Sequence, residues 1–130
     1  MAFRVLICDD EPDIRSMMRR TLRQHDITEA GSPREALDLL KTSGFDAIVA
    51  DFSMGAESDG LDLLQLCKVQ YPDMIRFLVT ATRDIDVAMR GVNEGAIHRY
   101  FLKPWDENKL RDALEIVLRS RNASGAPQEE

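Results

Sequence analysis

The chain has 130 residues, 44% hydrophobic and 31% charged, the profile of a single soluble globular domain able to bury a core without staples. A formal charge of -6 and a pI near 4.9 oppose the electrostatics needed to hold a phosphate backbone, so nucleic-acid binding by this segment is not expected. No apolar run approaches bilayer-spanning length and the start Met1-Ala2-Phe3-Arg4 lacks a secretory pattern, which leaves no membrane role and a cytoplasmic location as the expectation.

Short apolar runs alternate with segments of helical period, the pattern of βαβ units around a parallel sheet, so the fold class is α/β. Residues 3–8 read as a buried first strand containing Cys8, and Pro12 sits where a helix begins without losing a hydrogen bond. That helix turns Ile14, Met17, Met18, Thr21 and Leu22 inward. Residues 27–30 form a second strand; Ser32-Pro33 then caps a helix bearing Ala36, Leu37 and Leu40 that Gly44 ends. Ala47-Ile48-Val49-Ala50 is an apolar strand delivering Asp51 at its carboxyl end, followed by a loop rich in Gly and Ser. A third helix over 61–69 stops at Tyr71-Pro72-Asp73, and 76–80 is the fourth strand. A fourth helix over 84–94 is capped by Gly95, and 99–102 is the fifth strand. Lys103-Pro104 leads into a closing helix with Leu110, Ala113, Leu114, Val117 and Leu118 inward. The composition then shifts, giving a domain over 1–121 and a polar tail or start of a linker over 122–130.

Ligands of an open parallel sheet bind outside the carboxyl ends of its strands. Here the first strand ends in Asp9-Asp10-Glu11, the third in Asp51, the fourth in Thr80, and the fifth runs into Lys103. Close like charges cost roughly 4 kcal/mol at an effective dielectric of about 20, so acids gathered there need a cation. A hard divalent ion such as Mg²⁺ fits, since it takes one or two carboxylates and leaves positions for phosphate oxygens. Lys103 supplies a second positive charge, and Asp51, alone on its strand, is the natural nucleophile toward phosphorus.

Asp9-Asp10-Glu11, Asp51-Phe52-Ser53-Met54, Thr80-Ala81 and Lys103-Pro104 stand in the order and spacing of response-regulator receiver domains of the CheY-like superfamily, which the chain resembles from about residue 3 to about residue 119. The segment 92–105 further resembles receivers attached to cyclic-dinucleotide phosphodiesterases. The resemblance implies a flavodoxin-like, doubly wound sheet of order 2-1-3-4-5 with helices on both faces. It implies that Asp10 binds Mg²⁺ directly, Asp9 through water, and that Asp51 and the Ser53 backbone carbonyl supply further ligands. Asp51 would be the phosphoacceptor, Lys103 the partner of the phosphoryl group, the bond to Pro104 cis, and Thr80 and Tyr100 a switch pair. Ser53 and Thr82 occupy positions that tune the lifetime of the phosphoryl group. Such a domain is a bacterial signalling switch rather than a conventional enzyme, catalysing its own Mg²⁺-dependent phosphorylation and dephosphorylation. Its donor would be a histidine kinase or histidine phosphotransfer protein, and its signal would leave through the fourth helix, fifth strand and fifth helix. The resemblance leaves open a fused or separate output domain and a homodimer. One departure is Gly55 after Met54, where the family carries proline; with a stretch to Gly60 about one residue longer than usual, it predicts a more mobile loop beside the acceptor.

Blander readings stand beside these. Paired acids after a strand often only favour a helix N-terminus, and an aromatic such as Tyr100 in a short strand is usually core. Arg15, Arg19 and Arg23 recur every four residues, chiefly as a solvated face paired with acids, with a docking patch for an acidic partner as the lesser alternative. Cys8 and Cys67 read as buried hydrophobes, His25 and His98 as structural, and Trp105 as packing on the sheet edge. The alternative function is a phosphorylation-independent interaction module with the same fold. A phosphohydrolase would need an acid where Ser53 stands, and no Gly-rich loop suits a nucleotide.

Overall fold

The computed structural model describes residues 2–54 and 59–125. Five parallel strands, β1 (Arg4–Cys8), β2 (Asp26–Ala30), β3 (Ala47–Asp51), β4 (Ile75–Thr80) and β5 (Arg99–Leu102), form one sheet in the order β2-β1-β3-β4-β5. Five helices connect them: α1 (Pro12–Thr21), α2 (Pro33–Thr42), α3 (Asp59–Gln70), α4 (Ile85–Asn93) and α5 (Glu107–Gly125). This is the doubly wound, flavodoxin-like arrangement expected, with the chain turning in opposite directions from β1 and β3. Among the described residues, no helix is long and apolar enough to cross a membrane.

The alternation of side chains along each strand splits the core in two. Val5, Ile7, Val49, Phe77 and Val79 face α1 and α5, where Met18, Leu22, Leu110, Leu114 and Leu118 cover them. Leu6, Cys8, Ile48, Ala50 and Leu78 face the other helices, meeting Ala36, Leu40, Leu64, Cys67 and Ala88. β3 and β4 are buried throughout, as strands covered on both faces must be, whereas the edge strands β2 and β5 are only partly covered. Both cysteines are buried and free.

Local chemistry sets the helix ends. The Ser32 hydroxyl accepts from the Glu35 N–H while the Glu35 carboxylate accepts from the Gly31 N–H, a reciprocal cap that starts α2. Gly95 closes the end of α4 with φ +80, which only glycine adopts at little cost. Elsewhere the boundaries shift. α2 stops at Thr42 with Ser43 already extended, so Gly44 is not its terminator. A 3-10 turn, Thr82–Asp84, precedes α4. α5 runs to Gly125, beyond the composition change at Arg121; residues 126–130 of the expected tail lie outside the described residues, as do Gly55 and the loop that follows it. Trp105 packs against the core between the sheet and α1 and α5, and its Nε1 donates to the Thr21 hydroxyl at 3.1 Å.

Candidate functional site

The carboxyl ends of β1, β3, β4 and β5 bring Asp9, Asp51, Thr80 and Lys103 to one rim. Two backbone hydrogen bonds lock the strands there: Lys103 N–H to Thr80 O at 2.8 Å and Phe52 N–H to Val79 O at 2.9 Å. The peptide bond Lys103-Pro104 is cis, as expected. Asp51, Ser53, Ala81 and Lys103 line a cleft of about 200 Å³ whose outer rim carries Glu11, Arg83 and Asp84.

Asp9, Asp10 and Asp51 each offer a carboxylate oxygen, and these atoms all lie within 4.8 Å of one another. Lys103 Nζ stands 2.6 Å from Asp51 Oδ1 and 3.9 Å from Asp9 Oδ2. Asp9 is fully buried; its Oδ1 accepts from the Glu11 N–H at 2.8 Å, but Oδ2 has no hydrogen-bond donor. Burial, with help from the Asp51 charge, pushes Asp9 up to about 6 against the opposing pull of the Glu11 N–H and Lys103. Burial likewise raises Asp51 above the usual carboxylate range, although the Lys103 ammonium and the Ser53 backbone pull it down. Three acids, two of them buried and Asp10 exposed, and one ammonium therefore leave negative charge uncompensated at this rim. An orphaned buried oxygen and two carboxyls resisting ionisation are what a hard divalent cation would relieve, so these residues fit Mg²⁺.

Thr80 is fully buried, and its hydroxyl donates to the Ala81 carbonyl at 3.4 Å. In the β4–β5 register Leu78 faces Tyr100 and Thr80 faces Leu102, which places Thr80 and Tyr100 on the same sheet face as diagonal neighbours. Tyr100 is half-buried and packs against the α2, α3 and α4 side of the core.

Two residues at the site carry no sequence motif. Gly60, in the first turn of α3, passes so close to the end of β3 that a Cβ there would fall 1.8 Å from the Asp51 carbonyl oxygen. Arg83 reaches the cleft from the 3-10 turn. The arginine stripe of α1 is mainly structural: Arg15 and Arg19 share Glu29 at 3.1 and 2.6 Å, and Arg15 also donates to the Asp9 carbonyl at 2.6 Å. Arg23 donates to the Arg20 carbonyl. His25 and His98 accept backbone N–H groups from Phe3 and Arg76 through Nδ1, which makes them structural as expected. A larger cavity of about 360 Å³, bordered by Leu40, Phe45, Tyr71 and Arg121, lies at the amino ends of the strands, away from the acids.

A 2-1-3-4-5 parallel sheet with an acidic cluster and a lysine at its carboxyl edge defines the CheY-like class of flavodoxin-like proteins. Residues 5–115 match the family model of the response regulator receiver domain, and the chain belongs to that family. It is similar to the response regulator protein PilR of Pseudomonas aeruginosa, 34% identical over 121 residues covering 92% of this chain and 27% of PilR. The chain thus spans about a quarter of the length of the curated relatives it matches. Among solved structures it is similar to the signal receiver domain of an HD domain-containing protein from Pseudomonas fluorescens Pf-5, 28% identical with a TM-score of 0.85, covering 95% of this chain and 99% of that one. It is also similar to the structure described as adenylate cyclase from Rhodopirellula baltica, 25% identical with a TM-score of 0.89, covering 99% and 96%.

Proposed function

We propose that this receiver accepts a phosphoryl group on Asp51 from the phosphohistidine of a histidine kinase or histidine phosphotransfer protein. The observation that carries the reading is the 2.6 Å contact of Lys103 with Asp51 inside a three-carboxylate cluster at the switch point of the sheet. An Asp51 carboxylate oxygen attacks phosphorus as the phosphorus–nitrogen bond breaks, and its electron pair stays on the imidazole nitrogen. Lys103, already against Asp51, pairs with the incoming phosphoryl oxygens as they gain charge. Asp10, Asp51 and the Ser53 carbonyl would hold Mg²⁺, with Asp9 acting through water. The ion when bound offsets charge on the phosphoryl oxygens and on the carboxylates. Attack by water on phosphorus later releases phosphate and restores the carboxylate.

The Thr80 hydroxyl, bonded only weakly to its neighbour's carbonyl at 3.4 Å, turns toward the new phosphoryl oxygens, and Tyr100 moves into the space on the same face. The signal leaves through α4, β5 and α5 to an output domain, fused or separate, or to a second copy in a homodimer. The relatives' large unmatched share favours an output domain, and the resemblance of 92–105 favours a cyclic-dinucleotide phosphodiesterase. The domain unit is 1–121, with α5 continuing past it to Gly125, and its setting is cytoplasmic.

Intact mass after incubation with Mg²⁺ and acetyl phosphate tests the reading, run on the parent, on Asp51→Asn and with a chelator. One Mg²⁺-dependent, base-labile phosphoryl group in the parent alone is expected. A gain that survives in Asp51→Asn would assign the wrong acceptor. No gain in either, with Mg²⁺ bound and the fold intact, would favour a phosphorylation-independent interaction module.

A further inference from the structure

We infer that Arg83 is the outer contact for the phosphoryl donor, a specificity-determining residue that selects donors by the negative charge they carry into the cleft. The inference rests on the reading of Asp51 as acceptor. Of the described residues lining the cleft, Lys103 and Arg83 are the two cations, and they differ in exposure. Lys103 is committed to Asp51 and Asp9, with 29% of its side chain exposed, while the Arg83 side chain is 83% exposed. Among the described residues the acid beside Arg83 is its chain neighbour Asp84, 25% exposed and 3.7 Å away, too far for a hydrogen bond.

The surroundings give that charge a task. Glu11 and Asp84 line the cleft, Asp9 and Asp51 lie buried beneath it with the exposed Asp10 beside them, and the whole chain carries -6. A donor phosphate therefore approaches a mouth that repels it, and screening confines the contest to charges within a Debye length of about 8 Å at physiological salt. Arg83 is the lining cation placed on the approach side. Helix electrostatics do not account for it: the residue lies in the 3-10 turn leading into the N-terminus of α4, where the helix dipole disfavours a cation. A planar guanidinium suits two phosphoryl oxygens at once, and among the described residues the ion pair that would have to yield is the 3.7 Å contact with Asp84.

The test compares two donors that give the same product on Asp51. Acetyl phosphate arrives as a dianion at neutral pH, whereas phosphoramidate, protonated on nitrogen, carries one net negative charge. Bimolecular phosphorylation rate constants are measured by intact mass for the parent and for Arg83→Gln, Arg83→Glu and Arg83→Lys at low and high salt. Arg83→Gln is expected to slow acetyl phosphate about fivefold, the most an exposed charge pair is worth, and phosphoramidate about twofold or less. Arg83→Glu goes further, Arg83→Lys recovers most of the rate, and the differences shrink in high salt. The ratio of the two rate constants decides, because damage to Asp51, Lys103 or the fold moves both donors together. An unchanged ratio in Arg83→Gln, or a lysine no better than glutamine, overturns the inference while leaving Asp51 as acceptor. A parent that gains nothing from either donor overturns the acceptor assignment, and the role of Arg83 with it.

Discussion

One ammonium serves two buried carboxylates: Lys103 Nζ lies 2.6 Å from Asp51 Oδ1 and 3.9 Å from Asp9 Oδ2. Removing it in Lys103→Met leaves both acids facing each other without that compensation. Breaking a fully buried pair costs about 3–5 kcal/mol; partial exposure of Lys103 reduces this to about 1–2 kcal/mol for the metal-free domain. Saturating Mg²⁺ supplies the missing charge, so the gap between parent and variant narrows in urea titrations with Mg²⁺ relative to chelator. A gap unaffected by Mg²⁺ would mean that the ion and the ammonium do not share a site.

Gly60 lets α3 lie directly against the end of β3. A methyl group there meets the Asp51 carbonyl oxygen at 1.8 Å and the Phe52 Cα at 2.8 Å, both of them backbone atoms that cannot rotate away. Gly60→Ala is expected to cost about 3 kcal/mol, toward the upper end of overpacking penalties, and to slow phosphoryl gain at Asp51. Stability within about 1 kcal/mol of the parent would show that α3 slides freely over this strand.

Arg76 is a buried guanidinium that answers to carbonyls: it donates to Ala96 O and Met74 O at 2.8 and 2.9 Å and more loosely to Gly95 O and Pro72 O. It ties the turn before β4 to the loop before β5. Arg76→Met leaves those oxygens unsatisfied and is expected to cost about 2–4 kcal/mol in urea unfolding. Arg76→Lys recovers little, because a point charge cannot serve both loops in place of a planar fork. Full recovery by lysine would reduce the role of Arg76 to its charge.

The fold should weaken in acid through His25. Burial lowers its pKa, and Nδ1 accepts the Phe3 N–H at 3.2 Å, a bond that protonation of Nδ1 would abolish. A base with a depressed folded pKa contributes stability above its unfolded value, about 6.5, and loses it as pH falls below that. His25→Asn keeps an acceptor near Nδ1 but cannot titrate. The advantage of the parent over His25→Asn, measured by urea midpoints, is therefore expected to shrink from pH 8 to pH 5. A constant difference would show that His25 does not titrate differently in the two states.

The sheet order and the site were legible in the sequence for one reason: a parallel strand buried on both faces is an uninterrupted apolar run, and the polar residue ending it stands on the functional rim. Asp9, Asp51 and Thr80 are each such an end residue, while Lys103 follows the partly covered edge strand β5. Helix ends were less legible, since Ser43 turns extended before Gly44 and the 3-10 turn at Thr82 has no periodic signature. The Trp105 bond to Thr21 was not legible because the two lie 84 residues apart. Gly60 and Arg83 carried no local signal, because their importance comes from a close approach and a cleft that only the assembled fold creates.

The two native thiols make this domain chemically quiet. Burial pushes Cys8 up to about 12 and Cys67 up to about 11, so almost no thiolate is present at neutral pH for an alkylating dye to find. A single cysteine introduced at Met89, 47% exposed on α4, can therefore carry a fluorophore without removing either native residue. Slow modification of Cys8 and Cys67, both packed in the core beneath α2, α3 and α4, then serves as a clock for the opening of that side of the sheet.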